Sequence, residues 1–306
     1  MKKIKKIAVV MGGLSGEREV SLSSGKGVTN ALKKSGYTVK AIDLTSDIAA
    51  FVKALQTFKP DVVFNALHGV FGEDGCVQGL LNLMRLPYTH SGVEASAVGM
   101  DKEQTRKIAK TLGIPVADGG LKTKEEMKKK MPKLPYVAKP NADGSSLGVY
   151  IVTTKKEHEQ LLKKWGKEKY KLVEEYIPGH ELSVAVLNGK SIGSIELVPK
   201  TGFYDYKNKY TAGTTQHLVP APLPPKQATL IAKYSEQIHA ALGCRGVTRS
   251  DFRYDDTDKR HPRIVFLEIN TNPGMTPFSL VPDIAKNKKI TYDMLVKKLV
   301  EQAQCD

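Results

Sequence analysis

Cysteines are few and widely separated in this chain of 306 residues, at Cys76, Cys244 and Cys305. Their number and spacing exclude a disulfide framework and a zinc ribbon, so we expect reduced thiols. No apolar run approaches the roughly 20 residues of a membrane-spanning helix, so no membrane partner is expected. The apolar stretch at residues 7–11 is too short for a signal peptide and leads into glycines, which indicates a cytoplasmic protein.

Acidic residues are outnumbered by basic ones, 32 to 47, which gives a formal net charge of +15. Such an excess is typical of nucleic-acid-binding proteins. Here the lysines are spread over the polar faces of predicted helices, and they lack the interleaved aromatic residues of a single-strand channel. We therefore favour a solvated lysine-rich surface without a nucleic-acid partner, whose charge can help to attract an anionic nucleotide.

Internal repeats and low-complexity tracts are also absent, and the 41% of hydrophobic residues allow a sizeable core. Strand and helix patterns alternate in the first third of the chain, which is typical of a parallel sheet. The strands are predicted at residues 7–11, 38–43 and 61–67, and the helices at residues 20–34, 47–58 and 77–85.

The pattern changes around residues 92–99, after which a central and a C-terminal region follow. The central region is predicted to hold helices at 101–112 and 155–165 and strands at 135–140, 149–152 and 171–177. The C-terminal region is predicted to hold strands at 181–187, 191–198, 246–254 and 263–269 and helices at 226–242 and 292–302. Residues 200–215 lack periodicity, which indicates a long loop that can close over a site. We therefore expect an α/β fold of three domains, at residues 1–97, 98–178 and 179–306.

Oxygen donors lie on two predicted strands near the end of the chain. Alternation along the last strand places Glu268 and Asn270 on one face, and the preceding strand carries Asp251. Because no histidine or cysteine lies among them, these donors suit Mg²⁺ far better than Zn²⁺. Arg249 would lie beside the metal, where it can stabilise charge on a phosphoryl group or an oxyanion. The alternative is an ordinary exposed strand face of mixed charge.

A glycine- and serine-rich loop follows Lys139, at residues 141–148. A lysine at a strand end before such a loop can bind phosphates together with backbone N–H groups and hydroxyls. The loop has neither the Gly-Lys-Ser/Thr ending of a P-loop nor the glycine spacing of a dinucleotide fingerprint. A solvent-exposed turn is the alternative.

Glu17 and His68 follow strands of the predicted parallel sheet, at the edge where open α/β sheets bind ligands. A carboxylate at Glu17 can bind the ammonium group of a substrate. The alternatives are a structural role for His68 and helix capping for Glu17.

Six motifs occur in order, namely GGLSGEREVS at 12–21, ALHG at 66–69 with GEDG at 72–75, GMDK at 99–102, KP at 139–140 with GSS at 144–146, FYDY at 203–206 with KY at 209–210, and LEINT at 267–271 with PGMT at 273–276. Through them the chain resembles the D-alanine–D-alanine ligases of the ATP-grasp superfamily over essentially its whole length. Asp143 and Asn272 depart from the residues usual in that family, and neither departure removes a catalytic group. The resemblance implies a three-domain ATP-grasp fold and the ATP-dependent ligation of two D-alanines through an acyl-phosphate, for peptidoglycan precursor synthesis.

The resemblance also implies a binding site for ATP and two Mg²⁺ ions, for which Mn²⁺ can substitute. The implied ATP ligands are Lys102 and Lys139 for the phosphates, Glu174 with the backbone near Glu175 and Ile177 for the adenine, Glu181 for the ribose, and Ser146 and Lys209. The implied metal ligands are Asp251, Glu268 and Asn270.

For the amino-acid substrates, the resemblance implies contacts on both sides of the reacting centre. Glu17 would bind the first D-alanine's ammonium and connect through Ser145 to Tyr210, and His68 would line the substrate site. Arg249 and the Gly274 N–H would form an oxyanion site, and Ser279 with the Leu280 N–H would bind the carboxylate of the second D-alanine. Lys209 and Tyr210 would close the site. Family precedent indicates a homodimer. The alternatives are a D-alanine–D-lactate ligase or another carboxylate–amine ligase, a regulatory module without catalysis, and a nucleic-acid-binding protein.

Overall fold

The computed structural model contains three sheets among the residues that it describes, one parallel with three strands and two antiparallel with four and five strands. The described residues are 4–142, 144, 148–200, 214–276 and 278–306. The parallel sheet belongs to the first third of the chain, as expected, and the predicted α/β class is confirmed.

The N-terminal part is the parallel sheet with helices on both faces. Its elements are β1 (Lys6–Gly12), α1 (Arg18–Lys34), β2 (Thr38–Leu44), α2 (Ile48–Phe58), β3 (Val62–Asn65), α3 (Cys76–Leu83) and α4 (Val93–Met100). The strand order is β2–β1–β3, and alternate residues of β1 face different cores, with Ile7 and Val9 in one and Ala8 and Val10 in the other. Helix α4 runs across the expected division at residue 97, and the domain boundaries stay a prediction.

The central part is an antiparallel sheet with short helices. Its elements are α5 (Lys102–Thr111), β4 (Gly119–Lys122), α6 (Lys124–Lys129), β5 (Tyr136–Lys139), β6 (Tyr150–Val152), α7 (Lys155–Lys163) and β7 (Lys171–Glu175), with the strand order β4–β7–β5–β6. The sequence prediction missed β4 and α6 because elements of four and six residues are too short to show a hydrophobic period. Thr123 and Glu126 form a capping box at the start of α6, and this pair was the signal available in the sequence.

The C-terminal part is an antiparallel sheet in the order β10–β9–β8–β11–β12. Its elements are β8 (His180–Leu187), β9 (Lys190–Pro199), β10 (Thr215–Leu218), α8 (Pro225–Ala241), β11 (Val247–Asp255), β12 (Arg263–Asn270), α9 (Leu280–Asn287) and α10 (Tyr292–Glu301). The predicted loop at 200–215 was wrong at Thr215, which begins β10 opposite Pro199, and residues 201–213 lie outside the described residues. The sequence prediction missed β10 and α9.

Helix α10 returns to the N-terminal part and packs against α1 and β3. Leu295 and Leu299 of α10 share one core with Ile7 and Val28. Asp306 adds polar contacts, since its carboxylate accepts hydrogen bonds from the Asn82 amide, at 3.1 Å, and the Val93 N–H, at 2.8 Å, and pairs with Arg245. The two ends of the chain therefore form one packed unit.

Neither a membrane span nor a disulfide is found in the part of the chain that the structure describes. No helix there is long and apolar enough to cross a bilayer, and the three cysteines are free thiols.

His90 is a fully buried histidine in a left-handed backbone conformation, with φ at +69°. Its ring packs edge-on against Phe64, with 5.4 Å between ring centroids, and its Nδ1 lies 3.0 Å from the Thr89 hydroxyl. Burial, and to a smaller extent the charge of His68, lowers the pKa of His90 to about 3. The folded protein therefore keeps His90 neutral at pH values where an unfolded chain protonates it.

We expect the free energy of unfolding to fall as the pH is lowered from 7.5 to 5. The unfolded chain binds a proton at His90 near its ordinary pKa of 6.5, whereas the folded chain does so only near 3, so stability present above pH 6.5 is lost as the pH falls. At pH 5 this residue accounts for about 2 kcal/mol. Urea unfolding across this range should show a shallower pH dependence in His90→Asn, because asparagine tolerates positive φ and does not titrate.

His261→Asn is the matched control, because His261 is an exposed surface residue. Its unfolding should depend on pH as in the wild type. The same pH dependence in wild type and His90→Asn would contradict the buried neutral histidine.

Candidate active site

A cleft of about 740 Å³, part of it open to solvent, lies between the N-terminal sheet edge, the central loop and the C-terminal sheet. The residues predicted from the sequence that line it are Glu17, His68, Glu181, Arg249, Asp251, Glu268, Asn270, Gly274, Ser279 and Leu280. A smaller adjoining pocket is lined by Lys102 together with Glu268 and Asn270. The predicted residues that line neither of these pockets are Lys139, Glu174, Glu175 and Ile177. The predicted residues Ser145, Ser146, Lys209 and Tyr210 lie outside the described residues.

Strands β11 and β12 place four polar side chains in register. Asp251 lies opposite Glu268, and Arg249 lies opposite Asn270. Because directly paired residues of antiparallel strands share a face, all four side chains lie on one face of the sheet. Arg249 makes a bidentate contact with Asp251, from Nε to Oδ1 and from Nη2 to Oδ2, both at 2.8 Å.

Ser183 on β8 is a cleft residue that sequence reasoning missed. It lies opposite Asp251 in the strand ladder, and its hydroxyl donates to Asp251 Oδ1 at 2.6 Å. Asp251 is therefore held from two sides. The alternation of side chains along β8 predicts that Ser183 shares a face with Glu181. The pairing of Ser183 with Asp251, however, depends on a strand register that the sequence does not reveal.

The oxygen donors on this face suit a hard cation. In the described part of the chain no group of three histidine, cysteine, aspartate or glutamate side chains could hold a metal, so the donor set is the Asp251 and Glu268 carboxylates with the Asn270 amide. Mg²⁺ is commonly bound by one or two carboxylates, with water and substrate phosphates as its other ligands. The residues present therefore fit Mg²⁺.

Two buried lysines pair with carboxylates, Lys102 in the adjoining pocket and Lys139 at the end of β5. Lys102 Nζ lies 3.0 Å from Glu268 Oε2, and Lys139 Nζ lies 2.5 Å from Glu174 Oε1. Burial of a lysine is costly unless an opposite charge accompanies it. Each pair therefore keeps a buried cation, at a position that the sequence predicts to bind phosphates.

Arg106 is a second residue that the sequence prediction missed. Its side chain is buried, contacts the other oxygen of Glu174 and donates to the Ala117 carbonyl at 2.7 Å. Glu174 thus lies between two cations, and its expected role at the adenine stays a prediction. Arg106 follows Lys102 by one helical turn on α5, and that spacing was the available sequence signal.

Glu175, Ile177 and Glu181 lie at either side of the connection from β7 to β8. Glu181 lines the cleft, and Ile177 is buried. Glu175 is paired with Arg263 at 3.5 Å, and it is not among the residues that line the cleft.

Glu17 is buried where two glycines approach its carboxylate. A Cβ built on Gly144 would lie 2.7 Å from Glu17 Oε2, and one on Gly69 would lie 3.0 Å from the same atom. Gly69 also has φ at +68°, which favours glycine. Gly144, which follows Lys139 in the sequence, therefore lies against Glu17, as expected if both residues line one substrate site.

His68 belongs to a buried polar network. Its Nε2 lies 3.0 Å from the Ser24 hydroxyl, and its Nδ1 lies 3.2 Å from Glu73 Oε1. The Ser24 hydroxyl in turn accepts a hydrogen bond from the Met275 N–H at 3.2 Å. Because of these contacts, His68 is tied to the turn that contains Gly274. Ser24 and Glu73 had been assigned no role from the sequence.

Gly274 and Ser279 lie in contact before the first turn of α9. A Cβ on Gly274 would lie 2.8 Å from the Ser279 hydroxyl, which accepts a hydrogen bond from the Thr276 N–H at 2.9 Å. Ser279 and Leu280 line the cleft, and Leu280 begins the helix. The N-terminus of a helix carries free N–H groups and partial positive charge, which suit a carboxylate.

Asn272 connects the metal-binding face to the N-terminal sheet. Its side-chain amide donates to the Leu67 carbonyl at 2.8 Å, and its backbone N–H donates to Asn270 Oδ1 at 2.8 Å. Asn272 is buried, and Leu67 precedes His68. This departure from the residues usual in the family therefore supplies a contact between two sides of the cleft.

Comparisons with known proteins cover both halves of the chain. The family model described as D-ala D-ala ligase N-terminus matches residues 6–60 and 48–91. The model described as D-ala D-ala ligase C-terminus matches residues 101–301. A D-alanine–D-alanine ligase of Paramagnetospirillum magneticum is 47% identical, over 99% of each chain, and one of Chelativorans is 49% identical, over 100% of this chain and 99% of its own. The crystal structure of a Bacillus anthracis D-alanine–D-alanine ligase complexed with ATP is 31% identical, with a TM-score of 0.82 over 98% of this chain and 97% of that one. The predicted resemblance and the ATP-grasp fold are confirmed.

We expect Asn272→Ser to lower the free energy of unfolding by about 1–2 kcal/mol, because a shorter side chain leaves the Leu67 carbonyl buried without its donor. The thermal midpoint should fall by roughly 3 °C. Asn287→Ser, at the exposed end of α9, is the matched control and should melt as the wild type does. Equal midpoints for Asn272→Ser and wild type would show that the contact adds no stability.

Proposed function

Since the chain belongs to the D-alanine–D-alanine ligase family, we propose that it joins two D-alanines at the expense of ATP, releasing ADP and phosphate, as a step of peptidoglycan precursor synthesis. The observation that carries the proposal is a single cleft lined by a buried carboxylate, by a set of oxygen donors and by a helix N-terminus. These are Glu17, then Asp251 with Glu268 and Asn270, and Ser279 with Leu280. Relatives with the same printed activity match along nearly the whole chain.

ATP would bind among the cations of the cleft, and two Mg²⁺ ions would be held by Asp251, Glu268 and Asn270, with Mn²⁺ as a substitute. When bound, Mg²⁺ neutralises phosphate charge during phosphoryl transfer. Lys102 and Lys139 would bind the phosphates, while Glu174, Glu175 and Ile177 would lie at the adenine and Glu181 at the ribose. Support comes from the ion pairs of both lysines, because each ammonium is already placed to contact an anion. When a phosphate binds, Glu174 keeps its contact with Arg106, and Glu268 would bind Mg²⁺, so neither carboxylate would be left as a lone buried charge.

The two amino acids would bind at opposite sides of the reacting centre. Glu17 would hold the ammonium of the first D-alanine, with His68 beside it. Ser279 and the Leu280 N–H would hold the carboxylate of the second, at the start of α9. Arg249 and the Gly274 N–H would stabilise the oxyanion between them.

The reaction proceeds in two steps. A carboxylate oxygen of the first D-alanine attacks the γ-phosphorus, ADP leaves, and an acyl-phosphate forms. The neutral amine of the second D-alanine then attacks the acyl carbon, and phosphate leaves with the original carboxylate oxygen. Water would hydrolyse the acyl-phosphate, so the cleft must be closed during turnover. Ser145, Ser146, Lys209 and Tyr210 are proposed to complete the site, on the resemblance alone.

A D-alanine–D-lactate ligase is not favoured, because the relatives compared above carry the dipeptide-forming name. Loss of catalysis is not favoured either, since Arg249, Asp251, Glu268 and Asn270 are all present. A homodimer in the cytoplasm, without a nucleic-acid partner, completes the proposal on family precedent.

We expect phosphate release from ATP and Mg²⁺ to require D-alanine and to match the amount of dipeptide found by mass spectrometry. L-Alanine should give no dipeptide above background, because its side chain would point into the space that the α-hydrogen of the D-isomer occupies. D-Lactate as the second substrate tests the depsipeptide alternative. Equal turnover with L-alanine, or ATP hydrolysis without dipeptide, would refute the proposal.

We expect Glu268→Gln to lower kcat at least a hundredfold, equivalent to about 3 kcal/mol, because the amide removes a negative ligand where phosphoryl charge shifts. ATP affinity should change much less, since the lysines and the adenine contacts remain. Mn²⁺ affinity, measured by electron paramagnetic resonance with a non-hydrolysable ATP analogue, should fall in parallel with kcat.

Glu301→Gln on the surface of α10 is the control and should match the wild type in both measurements. Normal Mn²⁺ affinity in Glu268→Gln would show that Glu268 is not a metal ligand.

A further inference from the structure

The connection from β7 to β8 presses closely on β11. Gly179 in this connection has φ at +87°, and a Cβ there would lie 2.1 Å from the Tyr254 carbonyl oxygen. Only glycine allows this approach. The connection therefore has a fixed path between the central and C-terminal sheets, with Ile177 before the glycine and Glu181 after it.

Arg253 on β11 holds this connection at three points. Its Nε donates to the Ile177 carbonyl at 3.1 Å, and its Nη2 donates to the Gly179 carbonyl at 2.6 Å. Its Nη1 lies 3.5 Å from Glu181 Oε2, and the two residues are directly opposite in the strand ladder. Both side chains are largely buried, with 13% and 14% exposed.

The guanidinium is suited to this arrangement because its donors lie in one rigid plane. A lysine has one flexible ammonium group and cannot reproduce three fixed directions. Arg253 also follows Arg249 and Asp251 at alternate positions of β11. Strand β11 thus carries Arg249 and Asp251, which line the cleft, and two residues further on Arg253, which contacts Glu181.

We propose that Arg253 is a positioning residue that gives the site its preference for a ribonucleotide over a deoxyribonucleotide. It fixes the Ile177 backbone and the Glu181 carboxylate in the orientation in which Glu181 accepts hydrogen bonds from the ribose hydroxyls. Without Arg253, the Glu181 carboxylate turns to solvent, and the ribose hydroxyls lose a fixed acceptor. This inference rests on the proposed function, in which Glu181 binds the ribose.

The test compares ATP with 2′-deoxy-ATP and 3′-deoxy-ATP in wild type and Arg253→Met. We expect the KM for ATP to rise about tenfold in the variant while kcat changes less than about twofold, because a hydrogen bond to a charged group is lost in binding and not in the chemical step. The preference for ATP over its deoxy analogues should fall by a similar factor. An unchanged preference would overturn the proposal, whatever the change in KM.

Three further variants identify the cause. Glu181→Gln should lose the same preference, and adding Arg253→Met to it should have little further effect, because both changes remove one interaction. Arg253→Lys should lie between wild type and Arg253→Met. Arg260→Met, on the exposed surface, is the matched arginine control and should behave as the wild type. Additive effects of Arg253→Met and Glu181→Gln would contradict the proposal.

Equilibrium binding separates this inference from the proposed function. Calorimetric affinities for ATP and 2′-deoxy-ATP require no dipeptide formation, so they report on Arg253 even if the ligase assay fails. Thermal melting of each variant shows whether it is folded. If Arg253→Met does not fold, the same comparison is made with Arg253→Lys, for which an unchanged nucleotide preference overturns the proposal.

Discussion

Pairing of buried cations with carboxylates is the constraint on which the proposed site depends. Arg249 is held by Asp251, Lys102 by Glu268, and Lys139 by Glu174. A phosphoryl-transfer site needs both signs of charge at close range, and neither sign is stable when buried alone. The pairs satisfy this requirement within the protein. They also cross-link the fold, because Lys102 begins a helix of the central part and Glu268 lies on a strand of the C-terminal part.

The opposite side of the cleft is fixed by packing between the two ends of the chain. Helix α10 shares a core with α1 and β3, and Asp306 adds contacts to Asn82 and Arg245. Near the site, Asn272 donates to the Leu67 carbonyl, and the Met275 N–H donates to Ser24. Glu17 and the N-terminus of α9 thereby line one cleft, in which two amino acids are proposed to react.

Long elements with a clear hydrophobic period could be predicted from the sequence. Helix α1 was expected at residues 20–34 and spans Arg18–Lys34. The strands expected at 181–187 and 191–198 are β8 and β9, which pair as neighbours. Helix α9, with eight residues, and strand β10, with four, were missed because short elements are specified by their tertiary partners more than by their own sequence.

The cleft residues that could be predicted lie in local motifs, such as Glu17 in the first glycine-rich turn and Glu268 with Asn270 on the last strand. Arg253 could not be predicted, and the sequence offered only the spacing from Lys102 as a signal for Arg106, because the partners of both arginines are distant in the sequence. Arg106 contacts a glutamate 68 positions away, and Arg253 contacts a carbonyl 74 positions away. Both contacts depend on how elements that are distant in the sequence pack together, which local patterns do not specify.

The most direct test of the central claim follows an oxygen atom from the first D-alanine. If the chain makes a dipeptide through an acyl-phosphate, the attacking carboxylate oxygen leaves with the phosphate. D-Alanine labelled with ¹⁸O in both carboxylate oxygens should therefore give one ¹⁸O atom in the released phosphate for each dipeptide formed, measured by ³¹P NMR or mass spectrometry. Unlabelled phosphate, released together with dipeptide, would contradict the acyl-phosphate and with it the proposed use of the cleft.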